Sequence, residues 1–388
     1  MATDRCGSLD DPWGDHAFSL KFHQPEESAA KLAAAMPDLG GIAAVGDKPA
    51  LAAAHIAANL GLRFHHPVAV EAAGNKYLAR ERFSAAGLPV PAYFRVPLDS
   101  NPDAACSRAP WPCVLKPIGL SGSRGVIRAN TPAEFLTAFD RIRRLLDSPE
   151  ILRHRDPALG FIQVEEYIPG REFALEGLMT GGRLRTLAIF DKPDPLDGPF
   201  FEETIYLTPS REPLAAQESM KAAIQSACSA LGLSDGPVHA ELRANARGVW
   251  VLEVAARPIG GLCARVLRFN GGVPLEELVL RHAVGEDVGE LRLDGASSGV
   301  MMIPIPRDGI YHGCSGVEAA RSVAGVEDVE ITATEGQRFQ RLPEGGSYLG
   351  FIFARAAGPD AVEASLRRAH AELAFRFATV LAVLRKRK

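Results

Sequence analysis

The chain has 388 residues, 47% of them hydrophobic, enough for two or three domains with cores of their own. Its 43 basic and 47 acidic side chains are interspersed and leave a formal net charge of −4, so no basic stripe marks a nucleic-acid or anionic-membrane surface. Every apolar run is broken by charge before the roughly eighteen residues that span a bilayer, and the N-terminus lacks the basic-then-apolar order of a signal peptide, so small-molecule partners in the cytoplasm are expected.

Glu26–Met36 and Ala50–Leu60 read as alanine-rich helices around a short apolar strand, Gly41–Val45, which is the βαβ rhythm of a doubly wound unit. Met1–Arg5 suits a strand end, and the usual earlier strand and helix are missing, so this Rossmann-like unit, residues 1–75, is expected to be incomplete at its start. A helix over Lys76–Ala86 stops at Gly87, with Pro89 and Pro91 behind it, and a new domain begins there. Six cysteines, Cys6, Cys106, Cys113, Cys228, Cys263 and Cys314, show no CxxC spacing, which argues against a zinc site and against a disulfide scaffold.

In Trp111–Arg128 a strand ends at Lys116-Pro117, and a loop with Gly119, Gly122, Gly125, Ser121 and Ser123 leads into a second strand. Glycines let backbone amides approach an anion and serines add donors, which suits a phosphate cover; a flexible turn is the plainer alternative. In Phe161–Met179 two apolar strands flank the turn Ile168–Arg171, and Glu165-Glu166-Tyr167-Ile168 at the end of the first offers an apolar slot with backbone groups for an adenine. Glu172 is placed to take ribose hydroxyls. Asp191–Thr208, with Phe200, Phe201, Glu202 and Glu203, suits a pocket cover or an ordinary surface loop.

Val238–Arg243 and Gly248–Arg257 form an acidic hairpin that sets Glu241 beside Glu253, where like charges invite a divalent cation, with Arg257 adding positive charge; glutamates facing water are the bland alternative. Arg265 beyond it can reach a substrate carboxylate or, the favoured reading, form a salt bridge. Residues 289–388 begin with a strand from Gly299, add a second at Leu349–Arg355, and finish in a helix over Ala361–Leu384 with the stripe Val362, Leu366, Leu373, Phe377, Val380 and Leu384. The tail Arg385–Lys388 complements that helix's negative end.

Taken in order, a lysine opening a helix, a lysine before a glycine loop, the E-E-Y-I-P-G-x-E hinge, a downstream lysine, then two glutamates and an arginine on adjacent strands, this chain resembles the ATP-grasp superfamily over roughly residues 40–285. Within it the C-terminal part looks like that of the L-amino-acid and dipeptide ligases, the carboxylate–amine ligase branch. The resemblance implies an α/β fold: a Rossmann-like N-terminal domain, a two-lobed ATP-grasp core over 76–288 with its small lobe at about 76–165 and its large lobe at about 166–288, and a closing subdomain over 289–388. It implies that Lys76 and Lys116 hold the α- and β-phosphates of ATP, that Ser121, Gly122, Ser123 and Gly125 close over them, and that Glu165, Glu166, Tyr167 and Ile168 line the adenine with Glu172 on the ribose. Glu241 and Glu253 would bind magnesium, or manganese in its place. Arg257 would stabilise an acyl phosphate, and Lys192 would face a phosphate unless it is an exposed loop lysine.

One departure stands out. Many relatives read E-x-N-x-R on the last strand, but here Glu253-Val254-Ala255-Ala256-Arg257 puts an alanine where the asparagine would complete a metal shell. The implied activity is an ATP-dependent, ADP-forming ligation of a small carboxylate to an amine through an acyl phosphate, with no nucleic acid or membrane partner and a homodimer left open. Two other readings stay beside it: a carboxylase-like or purine-pathway enzyme using bicarbonate or formate, and a non-catalytic nucleotide-binding module.

Overall fold

Alanine sets the packing of the N-terminal unit. In the computed structural model, which describes residues 1–4, 17–153 and 155–379, two short parallel strands, β1 (Ala2–Thr3) and β2 (Phe18–Ser19), precede α1 (Pro25–Ala35) and α2 (Asp47–Leu60). Ala50, Ala53, Ala54 and Ala57 of α2 are buried, small enough for close helix packing and with no side-chain entropy to lose. Gly41–Val45, expected as a strand, joins no ladder. A Cβ at Gly41 would lie 2.8 Å from the backbone of Ala283, so this segment runs against the end of a distant helix instead of beside a strand. Asn75 then separates α3 (Pro67–Gly74) from α4 (Lys76–Ala85), and its side chain accepts from the Tyr77 and Leu78 amides at 3.1 Å each. That cap fixes Lys76 as the first helical residue.

The small lobe is a four-stranded antiparallel sheet in the order β3-β6-β4-β5. Along the chain these are β3 (Tyr93–Pro97), α5 (Pro102–Cys106), β4 (Cys113–Pro117), β5 (Ile127–Ala129), α6 (Pro132–Leu146), α7 (Pro149–Leu152) and β6 (Phe161–Glu166). Phe135, Phe139, Ile142 and Leu146 recur at helical spacing on α6 and share one core with Leu115, Ile127, Ile162 and Val164 of the sheet. Gly125, between β4 and β5, has φ +75°, and a Cβ there would stand 2.6 Å from Pro117. Gly125→Ala is therefore expected to cost about 2 kcal/mol, read as a lower urea midpoint at constant slope; an unmoved midpoint would show that the loop relaxes freely.

The large lobe supplies β7 (Arg171–Thr180), β8 (Arg183–Asp191), β9 (Ile205–Thr208), α8 (Leu214–Leu231), β10 (Gly236–Asn245), β11 (Gly248–Ala255), the small hairpin β12 (Arg268–Phe269) and β13 (Val273–Pro274), and α9 (Leu275–Ala283). Then come β14 (Ser297–Met302), β15 (Gly309–Ser315), α10 (Val317–Arg321), β16 (Val326–Ile331), β17 (Arg338–Phe339), β18 (Gly350–Ala356), α11 (Pro359–Ala371) and β19 (Ala374–Ala378). One eight-stranded sheet, β11-β10-β7-β8-β9-β14-β18-β16, runs through both parts, and β17-β15-β19 makes a separate three-stranded sheet.

The expected helix over Ala361–Leu384 is thus two elements. Ala374-Phe375-Arg376-Phe377-Ala378 alternates with period two and pairs with β15, and Phe377 packs edge-on against Tyr311 and Phe339. Val380, Leu384, the basic tail and Cys6 lie outside the described residues. The other five cysteines are free, and no helix among the described residues is long and apolar enough to cross a membrane.

Candidate active site

The residues singled out in the sequence converge on one cleft between the two lobes. Lys76, Lys116, Ser121, Gly122, Ser123, Glu165, Glu166, Tyr167, Ile168, Glu172, Glu241, Glu253 and Arg257 all line it. Gly125 and Lys192 do not; the Gly125 amide donates to the Pro343 carbonyl at 2.8 Å, tying the glycine loop to the C-terminal part.

Lys116, the last residue but one of β4, has its side chain 10% exposed, and its Nζ lies 2.6 Å from Glu165 Oε2. Burial pushes the Lys116 ammonium down, to about 8, against the pull of Glu165. Glu165 also accepts from Arg80 Nε at 2.7 Å and from Gln163. Burial opposes its ionisation, but Arg80 and Lys116 overcome that and bring it to about 2. The Glu165 carboxylate is therefore committed to two cations, and β6 around it is paired on both sides. Beyond it the Arg128 guanidinium lies over the Tyr167 ring, 4.0 Å from its centroid, and Phe201 stacks with Tyr167 at 6.4 Å. Lys76 Nζ bridges the lobes, donating to the Leu120 carbonyl at 2.6 Å and standing 3.1 Å from Glu253 Oε2.

On the β10–β11 hairpin Glu241 and Glu253 are direct register partners. Their carboxylates nonetheless serve different lysines. Glu241 lies 3.7 Å from Lys192 Nζ, which is also bound by Glu172 Oε1 at 2.9 Å and by Glu203. Lys192 is 3% exposed, which rules out the exposed loop lysine: burial would lower its pKa, but Glu172, Glu203 and Glu241 hold it well above the usual value. Glu172, Glu203 and Glu241 present oxygens all within 4.8 Å of one another, so the tight carboxylate group contains Glu203 and leaves out Glu253. Glu172 is further held by Arg243 Nε at 2.8 Å, so both of its oxygens already accept from cations.

Across the ladder from Ala255 stands His239. Its Nδ1 lies 3.0 Å from Glu176 Oε2 and its Nε2 3.9 Å from Glu241. Burial alone would lower this imidazole, but the Glu176 and Glu241 carboxylates hold it up at about 9, so it is cationic at neutral pH. Glu176 in turn accepts from the Ile259 amide at 3.1 and 3.2 Å, which pins the chain just after Arg257. Arg257 Nε donates to Asp47 Oδ1 at 2.7 Å and its Nη1 to the Pro258 carbonyl at 3.1 Å. Arg265 bridges to Asp328 at 3.2 Å and to Glu330 on β16, the salt-bridge reading, and does not face the cleft.

Sequence reasoning missed His239, Arg243, Glu176, Arg80 and Asp47. The first two had a signal: His239, Glu241 and Arg243 alternate along β10 and share a face. The others are brought in by folding from far along the chain and have no local signature.

The small lobe, the glycine loop and the acidic hairpin around one cleft define an ATP-grasp protein. Residues 109–266 match the ATP-grasp domain, and residues 301–378 match the L-amino acid ligase C-terminal domain 2. The crystal structure of L-amino acid ligase from Bacillus licheniformis superposes with a TM-score of 0.77 at 25% identity, covering 91% of this chain and 85% of that one. Protein y4rH of Sinorhizobium fredii is 24% identical over 86% of this chain and 67% of its own length. Dapdiamide A synthase of Enterobacter agglomerans is 29% identical over 48% of this chain, which spans less than half, 43%, of that relative. The chain thus carries an ATP-grasp domain followed by an L-amino acid ligase C-terminal domain 2.

Proposed function

We propose that the protein joins a small carboxylic acid or amino acid to an amine, using ATP, releasing ADP and passing through an acyl phosphate. The observation that carries this reading is the convergence of Lys76, Lys116, Glu241, Glu253 and Arg257 on one cleft beneath the Ser121–Ser123 loop. Lys76 and Lys116 hold the phosphates, Tyr167 and Ile168 form the adenine slot, and Arg257 faces the reacting carboxyl group. The carboxylate oxygen attacks the γ-phosphorus and ADP leaves; the amine nitrogen then attacks the acyl carbon, and phosphate departs with the electrons of the broken C–O bond.

The donor set fits a hard cation. Glu241 and Glu253, register partners on the hairpin, offer it oxygen alone, while Glu172 and Glu203 are already committed to the Lys192 ammonium. Magnesium held there would neutralise phosphate charge. The cleft as folded leaves about 130 Å³ free, below the roughly 300 Å³ at which ligand pockets begin. Seating a nucleotide therefore requires the glycine loop or the Phe201–Glu203 segment to withdraw, the motion of a lid. The cytoplasm, where ATP and amino acids are supplied, is the compartment we assign.

The test is magnesium-dependent ADP release across a panel of amino acids taken singly and in pairs. No stimulation over ATP alone by any pair would sink the ligase reading. Glu241→Gln is expected to raise the magnesium concentration for half-maximal release about tenfold or more; an unshifted titration would remove Glu241 from the metal.

A further inference from the structure

The glycine loop is anchored at both ends. At its start the Lys76 amide donates to the Ile118 carbonyl at 3.2 Å, and the Lys76 ammonium donates to the Leu120 carbonyl at 2.6 Å. Its far end is gripped by the turn between β17 and β18: beside the Gly125–Pro343 hydrogen bond, Arg124 Nε donates at 2.7 Å to the carbonyl of Glu344, 220 positions away. The rest of the Arg124 fork is turned to Glu150 at 2.8 and 3.1 Å. Gly346 lies against the Arg124 stem, where a Cβ would stand 3.3 Å from Arg124 Cδ.

The turn itself is closed and stiff. The Gly345 amide donates to the Arg341 carbonyl and the Arg341 amide to Asp308 Oδ1, both at 2.9 Å. A Cβ at Gly345 would stand 1.7 Å from the Gln340 carbonyl oxygen, so glycine is required there. Phe339 before the turn and Leu349 after it are buried in the core of the C-terminal part. One ion pair joins this turn to the small lobe: the Arg141 guanidinium of α6 meets both oxygens of the Glu344 carboxylate, Nη2 at 2.8 Å from Oε2. Arg141 also lies over the Phe200 ring, 5.1 Å from its centroid, so one side chain touches both the turn and the 192–204 segment. Two-point geometry is the form in which a half-exposed pair keeps measurable strength.

We propose that the 340–347 turn is a latch that holds the glycine loop down over the nucleotide, with Glu344 and Arg141 as positioning residues of the reaction. The proposal rests on the ATP-dependent ligase reading above. Ser121, Gly122 and Ser123 lie between the two anchors and belong to no helix or strand, so their place over the phosphates is set by where the loop's ends are held. The small lobe and the C-terminal part have separate cores. Lifting the loop to admit ATP or release ADP therefore breaks the Arg141–Glu344 pair and the bonds at Arg124 and Gly125, and closing remakes them. A closed loop also keeps water from the acyl phosphate. When it lifts early, the oxygen of water attacks the acyl carbon, phosphate departs with the electrons of the C–O bond, and the acid is regenerated without forming amide. The C-terminal part thereby acts on turnover although, among the described residues, it contributes none of the cleft lining.

The experiment compares full-length wild type, Glu344→Gln, Arg141→Met and the charge-swapped double variant Arg141→Glu with Glu344→Arg. Stopped flow follows release of N-methylanthraniloyl-ADP, and product analysis gives the amide formed per ADP released. Each single variant is expected to release the probe about fivefold faster and to form about half as much amide per ADP. The swap is expected to bring both values back toward wild type. Because Arg141 and Glu344 are 38% and 30% exposed, all variants should melt within about 2 °C of wild type. Release rates equal in wild type and both single variants overturn the latch, and so does faster release that the swap leaves uncorrected. Equal amide per ADP in every variant overturns its exclusion of water. If wild type binds nucleotide and forms no amide with any pair, the ligase reading falls and the release rates alone decide the latch. If wild type binds neither ATP nor the probe, the ATP reading falls, and hydrogen exchange of the ligand-free protein decides: a Gly125 amide that exchanges faster in Glu344→Gln supports the latch, and equal exchange overturns it.

Discussion

Arg257→Ala is expected to lower substrate-dependent ADP release by about 10²–10³-fold while ATP still binds. The guanidinium lies in the cleft with its side chain 12% exposed and is aimed by two fixed acceptors, Asp47 Oδ1 and the Pro258 carbonyl. A cation held in place before the reaction needs no reorganisation as charge develops on the acyl centre, which is why its loss falls on turnover and not on nucleotide affinity. Asp47→Asn keeps a hydrogen-bond acceptor and is expected to cost about tenfold, since aim is blurred and charge is retained. The check is a KM-against-kcat comparison with ATP binding followed separately by calorimetry. An Arg257→Ala enzyme with wild-type turnover would remove this residue from the chemistry.

Glu165→Gln is expected to lower stability by about 3 kcal/mol at pH 7, because it leaves Arg80 and Lys116 buried without their counter-charge. The sign of the pH dependence follows from the direction of the shift. Glu165 titrates at about 2 in the fold against 4.5 ordinarily, so its contribution is complete above 4.5 and fades as the pH falls toward 2. Urea unfolding at pH 7 and at pH 3.5 should show the gap between wild type and variant narrowing in acid. A gap that stays constant would mean that the loss is one of shape and not of charge. Lys116 is also expected to become less well placed, so ATP affinity should fall alongside stability.

What could be read from the chain was whatever short-range periodicity writes down. The two acidic strands were legible because Glu241 and Glu253 interrupt apolar runs on either side of a short turn, and the hairpin pairs them in register. Lys116 was legible as the last polar residue before Pro117 and a glycine loop. Periodicity is ambiguous elsewhere: Leu373 and Phe377 fit a helical stripe although Ala374–Ala378 alternates as a strand, and Gly41–Val45 has strand composition but joins no ladder. Least legible were the charge pairings. Glu165 is held by Arg80, 85 positions earlier, and Arg257 is aimed by Asp47, 210 positions away. Lys192 sits in a proline-broken stretch that suggests solvent, and it is buried because Glu172 and Glu241 from two other strands and Glu203 from its own connection close around it. Such long-range pairing depends on the whole topology, and no window of sequence contains it.

The direct pairing of β9 with β14 bears on how a protein of this kind changes its substrates over evolutionary time. Four consecutive register partners, Thr208 with Ser298 through Ile205 with Met301, stitch the C-terminal part to the strands behind the cleft. At Gly299 any side chain would meet Leu207 at 2.7 Å and the Tyr206 carbonyl at 2.9 Å. A recombination event that replaced residues 289–388 wholesale would have to reproduce this seam atom by atom or leave a raw sheet edge. Point changes in the 192–204 and 340–347 segments, which lie between strands, escape that constraint. New substrates should therefore be acquired one residue at a time, with the C-terminal part descending in step with the catalytic lobes and not as an interchangeable cassette.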